Sequence, residues 1–258
     1  MTETPHNDQA IRENVEQLLP ISLEEMSGIR LMNRTDMKYV SNKQRLAQLL
    51  ELARGKYYAQ FHDGDYIAPY MTTYWDTTDY LFYMEHHNGR SPRQKVRVRT
   101  YVGSDLTFLE VKTKNNHGRT GKKRIQVPSQ EELESGNDFL VQLVNHGLND
   151  IHPTIRNRFH RITLVNYEKT ERLTIDFDIR FNNLETDKRT GTGELVVIEL
   201  KRDGNSYSPI LDILRQLRIK PLGFSKYCIG SVMTNPKLKH NEFKPKLVEI
   251  DRLVNRAY

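Results

Sequence analysis

The chain has 258 residues, with 39 Lys and Arg against 33 Asp and Glu and a formal net charge of +6. Hydrophobic residues make up 37%, and no stretch approaches the roughly 20 uncharged apolar residues that a membrane span needs. The N-terminal MTETPHNDQA lacks the basic and apolar regions of a signal peptide, and Cys228 alone excludes an internal disulfide. These features predict a soluble, cytoplasmic, folded protein.

The elements are legible in chain order. Residues 1–21 read as an N-terminal lead, disordered up to about residue 10. Ser22-Leu-Glu-Glu25 is a capping box and opens a short helix up to about Leu31. A second box, Ser41-Asn-Lys-Gln44, precedes an amphipathic helix with Leu46, Leu49, Leu50 and Ala53 on one side, closed by Gly55. Ser129-Gln-Glu-Glu132 starts a third helical stretch, interrupted at Gly136 and ended by Gly147. Ser208-Pro209 opens a fourth, with Ile210, Leu211, Ile213, Leu214 and Leu217. Residues 234–258 form a C-terminal helical extension. Between the helices the apolar period changes to two. Thr72 to Asp76, Leu81 to His86, Lys95 to Tyr101, Leu106 to Lys114, Arg124 to Val127, Arg161 to Tyr167, Arg172 to Phe181 and Glu194 to Lys201 read as strands. Roughly eight strands with helices between them predict a mainly antiparallel α+β fold. No linker divides it, so residues 1–258 read as a single domain.

The polar half of these strands is unusual. Successive strand side chains point to opposite sides, so KVRVR sets Lys95, Arg97 and Arg99 against Val96 and Val98. FLEVKTK sets Glu110, Lys112 and Lys114 against Leu109 and Val111. RLTIDFD opposes Arg172, Thr174, Asp176 and Asp178 to Leu173, Ile175 and Phe177. VVIELKR opposes Glu199 and Lys201 to Ile198 and Leu200, and RTDMK aligns Arg34, Asp36 and Lys38. For any one strand the simple account is a sheet with one face on the core and one in water. Across the set, Arg and Lys dominate the polar face and the other face is aliphatic. Helices outside a closed sheet would turn the charged sides inward. A lumen so lined requires an anion of high charge density, and phosphate chains match forked guanidinium donors. A carboxylate among the cations would hold Mg²⁺ or Mn²⁺.

These segments are similar to a known family. RTDMKYV at 34–40, KVRVRTY at 95–101, FLEVKTK at 108–114, GKKR at 121–124, RFHRITLVNYEKTERLTIDFDIRF at 158–181, VVIELK at 196–201 and GFSKYCIGSV at 223–232 resemble the catalytic domain of the vacuolar transporter chaperone complex. That domain is the polyphosphate polymerase branch of the triphosphate tunnel metalloenzymes. The resemblance implies a closed, eight-stranded antiparallel β-barrel, or tunnel, with flanking helices. It implies transfer of the γ-phosphate of ATP to a growing inorganic polyphosphate chain, with Mn²⁺ or Mg²⁺. By position it implies Arg97, Arg99, Lys112, Arg161, Arg172 and Lys226 as catalytic residues and Glu199 as the metal ligand. Lys38, Lys114, Lys122 and Ser225 are implied as substrate-binding residues, with Arg124 beside Lys122. Lys201, on the face of Glu199, joins the substrate-binding set. Gly223 stands where the family often has another lysine, which predicts a weaker grip at that end. The chain shows no SPX domain or membrane segment, so a separate membrane protein is the expected partner and would place the enzyme at a membrane.

Other signals carry less. Gly118-Arg-Thr-Gly121-Lys122 is two residues short of a P-loop, and Gly191-Thr-Gly193 has no third glycine. His86-His87 beside Asn88-Gly89 reads as a solvated turn rather than a metal site. Asp176 and Asp178 read as ion-pair partners of Arg172 and neighbouring lysines, with a second metal pair as the alternative. Tyr57, Tyr58, Phe61 and Trp75 read as core rather than as base-stacking groups. A hydrolase of triphosphates or tripolyphosphate is the second reading, weakened because RTDMK stands in place of the ExExK of hydrolytic relatives. A non-catalytic module binding polyphosphate or nucleic acid is the third, with nucleic acid disfavoured.

Overall fold

The structure, a computed structural model, describes residues 4–27, 29, 34–116, 120–129, 137–145, 148–204 and 206–255. In chain order the elements are α1 (Thr4–Glu16), β1 (Leu19–Ile21), α2 (Leu23–Ser27), β2 (Arg34–Asn42), α3 (Lys43–Ala53), β3 (Tyr57–Gln60), β4 (Ala68–Asp76) and α4 (Leu81–His87). There follow β5 (Arg93–Tyr101), β6 (Leu106–Lys114), β7 (Thr120–Gln126), α5 (Asn137–Leu143), β8 (His152–Asn166), β9 (Glu171–Asn183), β10 (Arg189–Gly191), β11 (Leu195–Asp203), α6 (Pro209–Gln216), α7 (Lys226–Thr234) and α8 (Lys244–Asn255). Eight strands make one continuous antiparallel path in the order β2-β11-β9-β8-β4-β5-β6-β7, with β1, β3 and β10 attached at its side.

The period-two segregation decides how the layers form. The aliphatic face of β2, β11, β9 and β8 (Tyr39, Ile162, Leu164, Leu173, Ile175, Val196, Ile198, Leu200) packs against Ile11 and Val15 of α1, Leu46, Leu49 and Leu50 of α3, and Ile210, Ile213 and Leu214 of α6. A second outer cluster joins Val96, Val98, Leu109 and Val111 of β5 and β6 to Leu140 of α5 and Phe82 of α4. Removing these branched side chains from water supplies the main driving force for wrapping the helices on the outside. The opposite face divides along the strands. Its one half carries the charged residues. Its other half is apolar, with Val40, Tyr74, Ile155, Ile179, Phe181, Leu195 and Val197 closed over by Tyr227, Ile229 and Val232 of α7 and Ile250 of α8.

The expected closed barrel is an open, curled sheet: among the described residues no pairing joins β2 to β7. The free edge of β2 is occupied instead by the chain entering α7, since Tyr39 bridges Pro221 and Leu222 N donates to Lys38 O at 2.9 Å. α7 then lies so close to β8 and β9 that a Cβ on Gly230 would run into the Phe181 ring and lie 3.0 Å from Ile155 Cδ1.

Several local expectations change. The N-terminal lead is a helix from Thr4, because Ile11, Val15 and Leu18 repeat on one side of an otherwise polar segment and bury. Leu81 to His86 is helical, since Asp76 accepts from Phe82 N and Tyr83 N at 2.8 and 2.9 Å and Thr77 Oγ1 from Leu81 N at 2.9 Å, capping its first turn. Short apolar runs are ambiguous between the two periods. His87 is therefore buried beside Tyr83 and Phe243 rather than in a solvated turn. Ser41 is a buried strand residue; the cap of α3 is Asn42, whose side chain accepts from Arg45 N at 3.0 Å. The Ser22–Glu25 box forms reciprocally, at 2.8 and 3.1 Å. Gln130 to Glu132, Gly136 and Gly147 lie outside the described residues. Tyr57 and Trp75 are buried, as expected of core aromatics, whereas Phe61 is exposed against Tyr66.

Gly230→Ala is expected to destabilise the fold by about 1–3 kcal/mol through overpacking against Phe181, despite the better helix propensity of alanine. Urea unfolding measures the loss, and an unchanged midpoint would mean that α7 sits less tightly on β9.

Candidate active site

The charged half-face brings together residues from all eight strands of the path and the start of α7. On β5, Arg97 donates from Nε to Glu110 Oε2 of β6 at 2.6 Å, and Glu110 also accepts from Lys122 of β7 at 2.9 Å. Glu110 is fully buried, and although burial alone would raise its carboxyl, Arg97, Arg99 and Lys122 outweigh burial and hold it well below the usual range. Arg99 Nε donates to Thr72 Oγ1 of β4 at 3.1 Å. On β8, Arg161 forks onto Asp176 of β9, at 2.6 and 2.8 Å, and Lys226 of α7 binds the same carboxylate. Burial would raise Asp176 as well, but Arg161 and Lys226 hold it ionised.

Glu199 of β11 lies opposite Lys38 of β2 and Thr174 of β9, with Lys201 Nζ 3.2 Å from its Oε2. Its carboxyl is lowered against the effect of burial by Lys201, Lys38, Lys112 and Arg161. Those cations belong to β11, β2, β6 and β8, so Glu199 faces a space shared by opposite parts of the sheet. Lys112 shows the same convergence from the other side. Arg97 first, then burial, then Arg99 push its ammonium well below the ordinary lysine range, with Glu199 and Glu110 opposing.

The start of α7 completes the arrangement. Ser225 is the N-cap, accepting from Cys228 N at 3.3 Å, and its Oγ also accepts from Lys95 Nζ at 3.0 Å. Lys38 Nζ donates to Phe224 O at 3.1 Å. Burial lowers Lys226 and Lys95, each to about 8. The cations outnumber the carboxylates, and aromatic faces take up part of the excess. Lys226 Nζ sits 4.2 Å from the Phe159 ring centroid, and Arg161 lies 5.3 Å from the same ring and 4.9 Å from Tyr70, which stacks on Phe159 at 5.2 Å. Tyr74 is buried beside Arg97, Arg99 and Lys226, which lower its phenol despite burial.

Of the residues singled out from the sequence, Lys38, Arg97, Arg99, Lys112, Arg161, Glu199, Lys201, Ser225 and Lys226 share this space. Arg172 lies opposite Lys201 in the β9–β11 ladder. Lys114 lies half-buried at the end of β6, and Lys122 and Arg124 lie on β7, where Arg124 covers Phe108 at 4.4 Å. Asp176 and Asp178 do not form a metal pair. A bulge between Arg158 and His160 accompanies Asp178, which takes a positive φ of 52°, binding Lys43 of α3 at 2.6 Å and His160 at 3.0 Å. Asp176 serves Arg161 and Lys226. The sequence reading passed over Tyr70, Tyr74 and Phe159, although Tyr70, Thr72 and Tyr74 share one strand face.

The donor set suits a hard divalent cation only in one way. Among the described residues no group of three or more His, Cys, Asp or Glu side chains comes together to form a metal site. Glu110 and Asp176 are each engaged by two cations, whereas Glu199 pairs with Lys201 and, ionised and 25% exposed in its side chain, is the carboxylate with room for an ion. One protein carboxylate plus ligand phosphate oxygens is a coordination that Mg²⁺-type ions accept, so the residues fit such an ion held jointly with a phosphate ligand.

A curled antiparallel sheet whose concave half carries buried Arg and Lys around an ionised Glu defines an α+β protein able to hold a multiply charged anion. The chain belongs to the VTC domain family, whose model matches residues 33–235. No curated protein matches it. Among solved structures, it is similar to a provisional adenylate cyclase from Bacillus halodurans at 15% identity, covering 75% of this chain and 96% of that one, with a TM-score of 0.49. It is similar to a provisional adenylyl cyclase from Hippeastrum with a dominant triphosphatase activity at 16% identity, covering 81% and 98%, with a TM-score of 0.45. It is also similar to an RNA triphosphatase from Schizosaccharomyces pombe at 9% identity, covering 99% and 95%, with a TM-score of 0.30.

Asp178 yields a pH test of the bulge. Burial alone would raise its carboxyl, but His160 and Lys43 lower it to about 2 from an ordinary 3.8. A depressed group contributes its stability above the unfolded value and loses it as pH falls towards the folded one. Asp178→Asn is expected to cost about 2 kcal/mol at pH 7, with the difference from wild type vanishing near pH 2 in denaturant titrations.

Proposed function

We propose that this protein is a metal-dependent phosphotransferase that extends inorganic polyphosphate from ATP, releasing ADP. The observation that carries the reading is the set of Arg97 and Arg99, buried, and Lys112, Arg161 and Lys226, partly buried, around Glu199 with fewer carboxylates than cations. Gathering these charges in a dry site is costly unless an anion neutralises them, and a linear phosphate chain supplies negative charge at regular intervals. The curled sheet acts as a tunnel in this reading. The chain at Pro221–Lys226 runs along the free edge of β2 and reaches Lys95 of β5 through Ser225.

The work of the residues follows from phosphoryl transfer, in which positioning and charge neutralisation do most of the catalysis. A terminal phosphate oxygen of the acceptor chain attacks the γ-phosphorus, the bond from that phosphorus to the β-bridging oxygen breaks, and ADP departs with the electron pair. Arg97 is held in place by Glu110, and Arg161 and Lys226 by Asp176, so these donors are oriented before a ligand arrives. Lys112 and Arg99 neutralise the charge that spreads over the transferred group. Lys38, Lys201, Lys114, Lys122 and Ser225 grip flanking phosphates, and Arg172 holds the outer end beside Lys201. Glu199 would hold a Mn²⁺ or Mg²⁺ ion, which would supply further neutralisation of the phosphate charge.

The carboxylates favour transfer to phosphate over hydrolysis. Glu110, Asp176 and Glu199 are all held well below the ordinary range, which makes them weak general bases for activating water. A phosphate acceptor is already ionised and needs no base. A nucleic-acid role would instead place the cations along an outer stripe. A membrane protein as partner for the released chain is part of this reading, and no helix among the described residues is long and apolar enough to cross a membrane.

Incubation of the purified chain with ATP and Mn²⁺ is expected to yield polyphosphate and ADP; orthophosphate with ADP would select the hydrolase, and no turnover would leave a binding module. Glu199→Gln is expected to lower turnover by at least about a hundredfold with its melting temperature within a few degrees of wild type. Binding of non-hydrolysable triphosphate is expected to weaken as pH rises through about 8, where Lys226 and Lys95 lose their protons. An affinity flat from pH 7 to 9.5 would show that neither lysine touches the anion.

A further inference from the structure

The space beside Gly223 is filled by a side chain from the far end of the chain. A Cβ built on Gly223 would meet one heavy atom within 4 Å, Lys246 Nζ of α8, at 3.6 Å. Gly223 takes no positive φ, so the position would accept a side chain, and its missing one points at an ammonium. Lys246 forms no ion pair with a carboxylate among the described residues and rests near the Phe243 ring, 5.9 Å from its centroid. The imidazole of His86, whose Nδ1 is buried without a partner, is pushed down to about 2 by burial and then by Lys95, Arg93, Lys246 and Lys38. Those cations come from β5, α8 and β2, so they crowd one place, beside the Ser225 cap of α7. None of the main influences on His86 is a carboxylate.

We infer that Lys246 of the C-terminal helix supplies the ammonium that position 223 does not carry, and with Lys38, Lys95 and Ser225 forms a phosphate subsite for the distal part of an inorganic polyphosphate chain. This rests on the polyphosphate reading above. It alters the expectation of a weak grip at this end. The charge is present, but it arrives from α8, which lies beyond the residues matched by the family. The close approach also explains what α8 contributes here: Ile250 packs into the cluster formed by α7 and the inner sheet face, fixing α8 so that Lys246 reaches the gap. The uncompensated positive charge and the unpartnered His86 nitrogen both suit an anion that accepts several hydrogen bonds at once.

Calorimetric titration of the full chain with long-chain inorganic polyphosphate, without nucleotide, tests this. Lys246→Gln is expected to weaken binding by about tenfold, the size of one charge-assisted hydrogen bond. Lysine introduced at the gap, Gly223→Lys combined with Lys246→Gln, is expected to recover most of that loss. Lys246 is half-buried and without a carboxylate partner in the described residues, so the variants should melt with the wild type, which is checked alongside. Unchanged affinity in Lys246→Gln would overturn the assignment and leave the proposed function standing. Loss without recovery by Gly223→Lys would overturn it too, because the effect would then come from the packing of α8. Failure of the wild type to bind polyphosphate would overturn the proposed function and the inference together.

Discussion

Everything in this molecule depends on holding more buried positive than negative charge on one half of a sheet face. Isolated, the guanidinium and ammonium groups of Arg97, Arg99, Lys112, Arg161 and Lys226 would not tolerate removal from water. The structure makes the arrangement tolerable by three means. Glu110 and Asp176 each take two cations. Tyr70 and Phe159 offer ring faces to Arg99, Arg161 and Lys226. Burial lowers Lys226 and Lys95 to about 8, so their protons are held less firmly than those of exposed lysines. What remains is an excess of positive charge that an anion would offset.

The same economy of carboxylates shapes the chemistry. Each acid in the site is committed to orienting a cation or stands ionised at Glu199, so the site is well provided with electrophilic assistance and poor in bases. Reactions whose nucleophile is already an anion fit such a place better than those that must first remove a proton. The apolar half of the inner face has a complementary part. By seating α7 on Phe181 and Ile155 through Gly230, it fixes Ser225 and Lys226 at the boundary where the charged half begins.

Much of this was legible from alternation alone. KVRVR and FLEVKTK fixed both their faces and their membership of a sheet, and Leu106–Lys114 runs over the residues the period marks. The amphipathic helix at Leu46–Ala53 was equally plain. What escaped was decided by tertiary contacts. The helix at Leu81 exists because Asp76 and Thr77 cap it, and a bulge moved Asp178 off the face its number assigns. The open edge escaped because Pro221 and Leu222 compete for β2 from nearly two hundred residues away. Lys246 has no motif around it; only the three-dimensional path of α8 places it beside Gly223.

The strand at the other end of the path, β7, bears on solubility. Its residues are exposed almost throughout, and among the described residues nothing pairs with its outer side. Bare strand edges invite another molecule's strand to add on. The run Lys122-Lys123-Arg124 lines this edge with like charge, so a second copy approaching in register would meet its own repulsion. The sheet can therefore remain unclosed without turning into a seed for fibres.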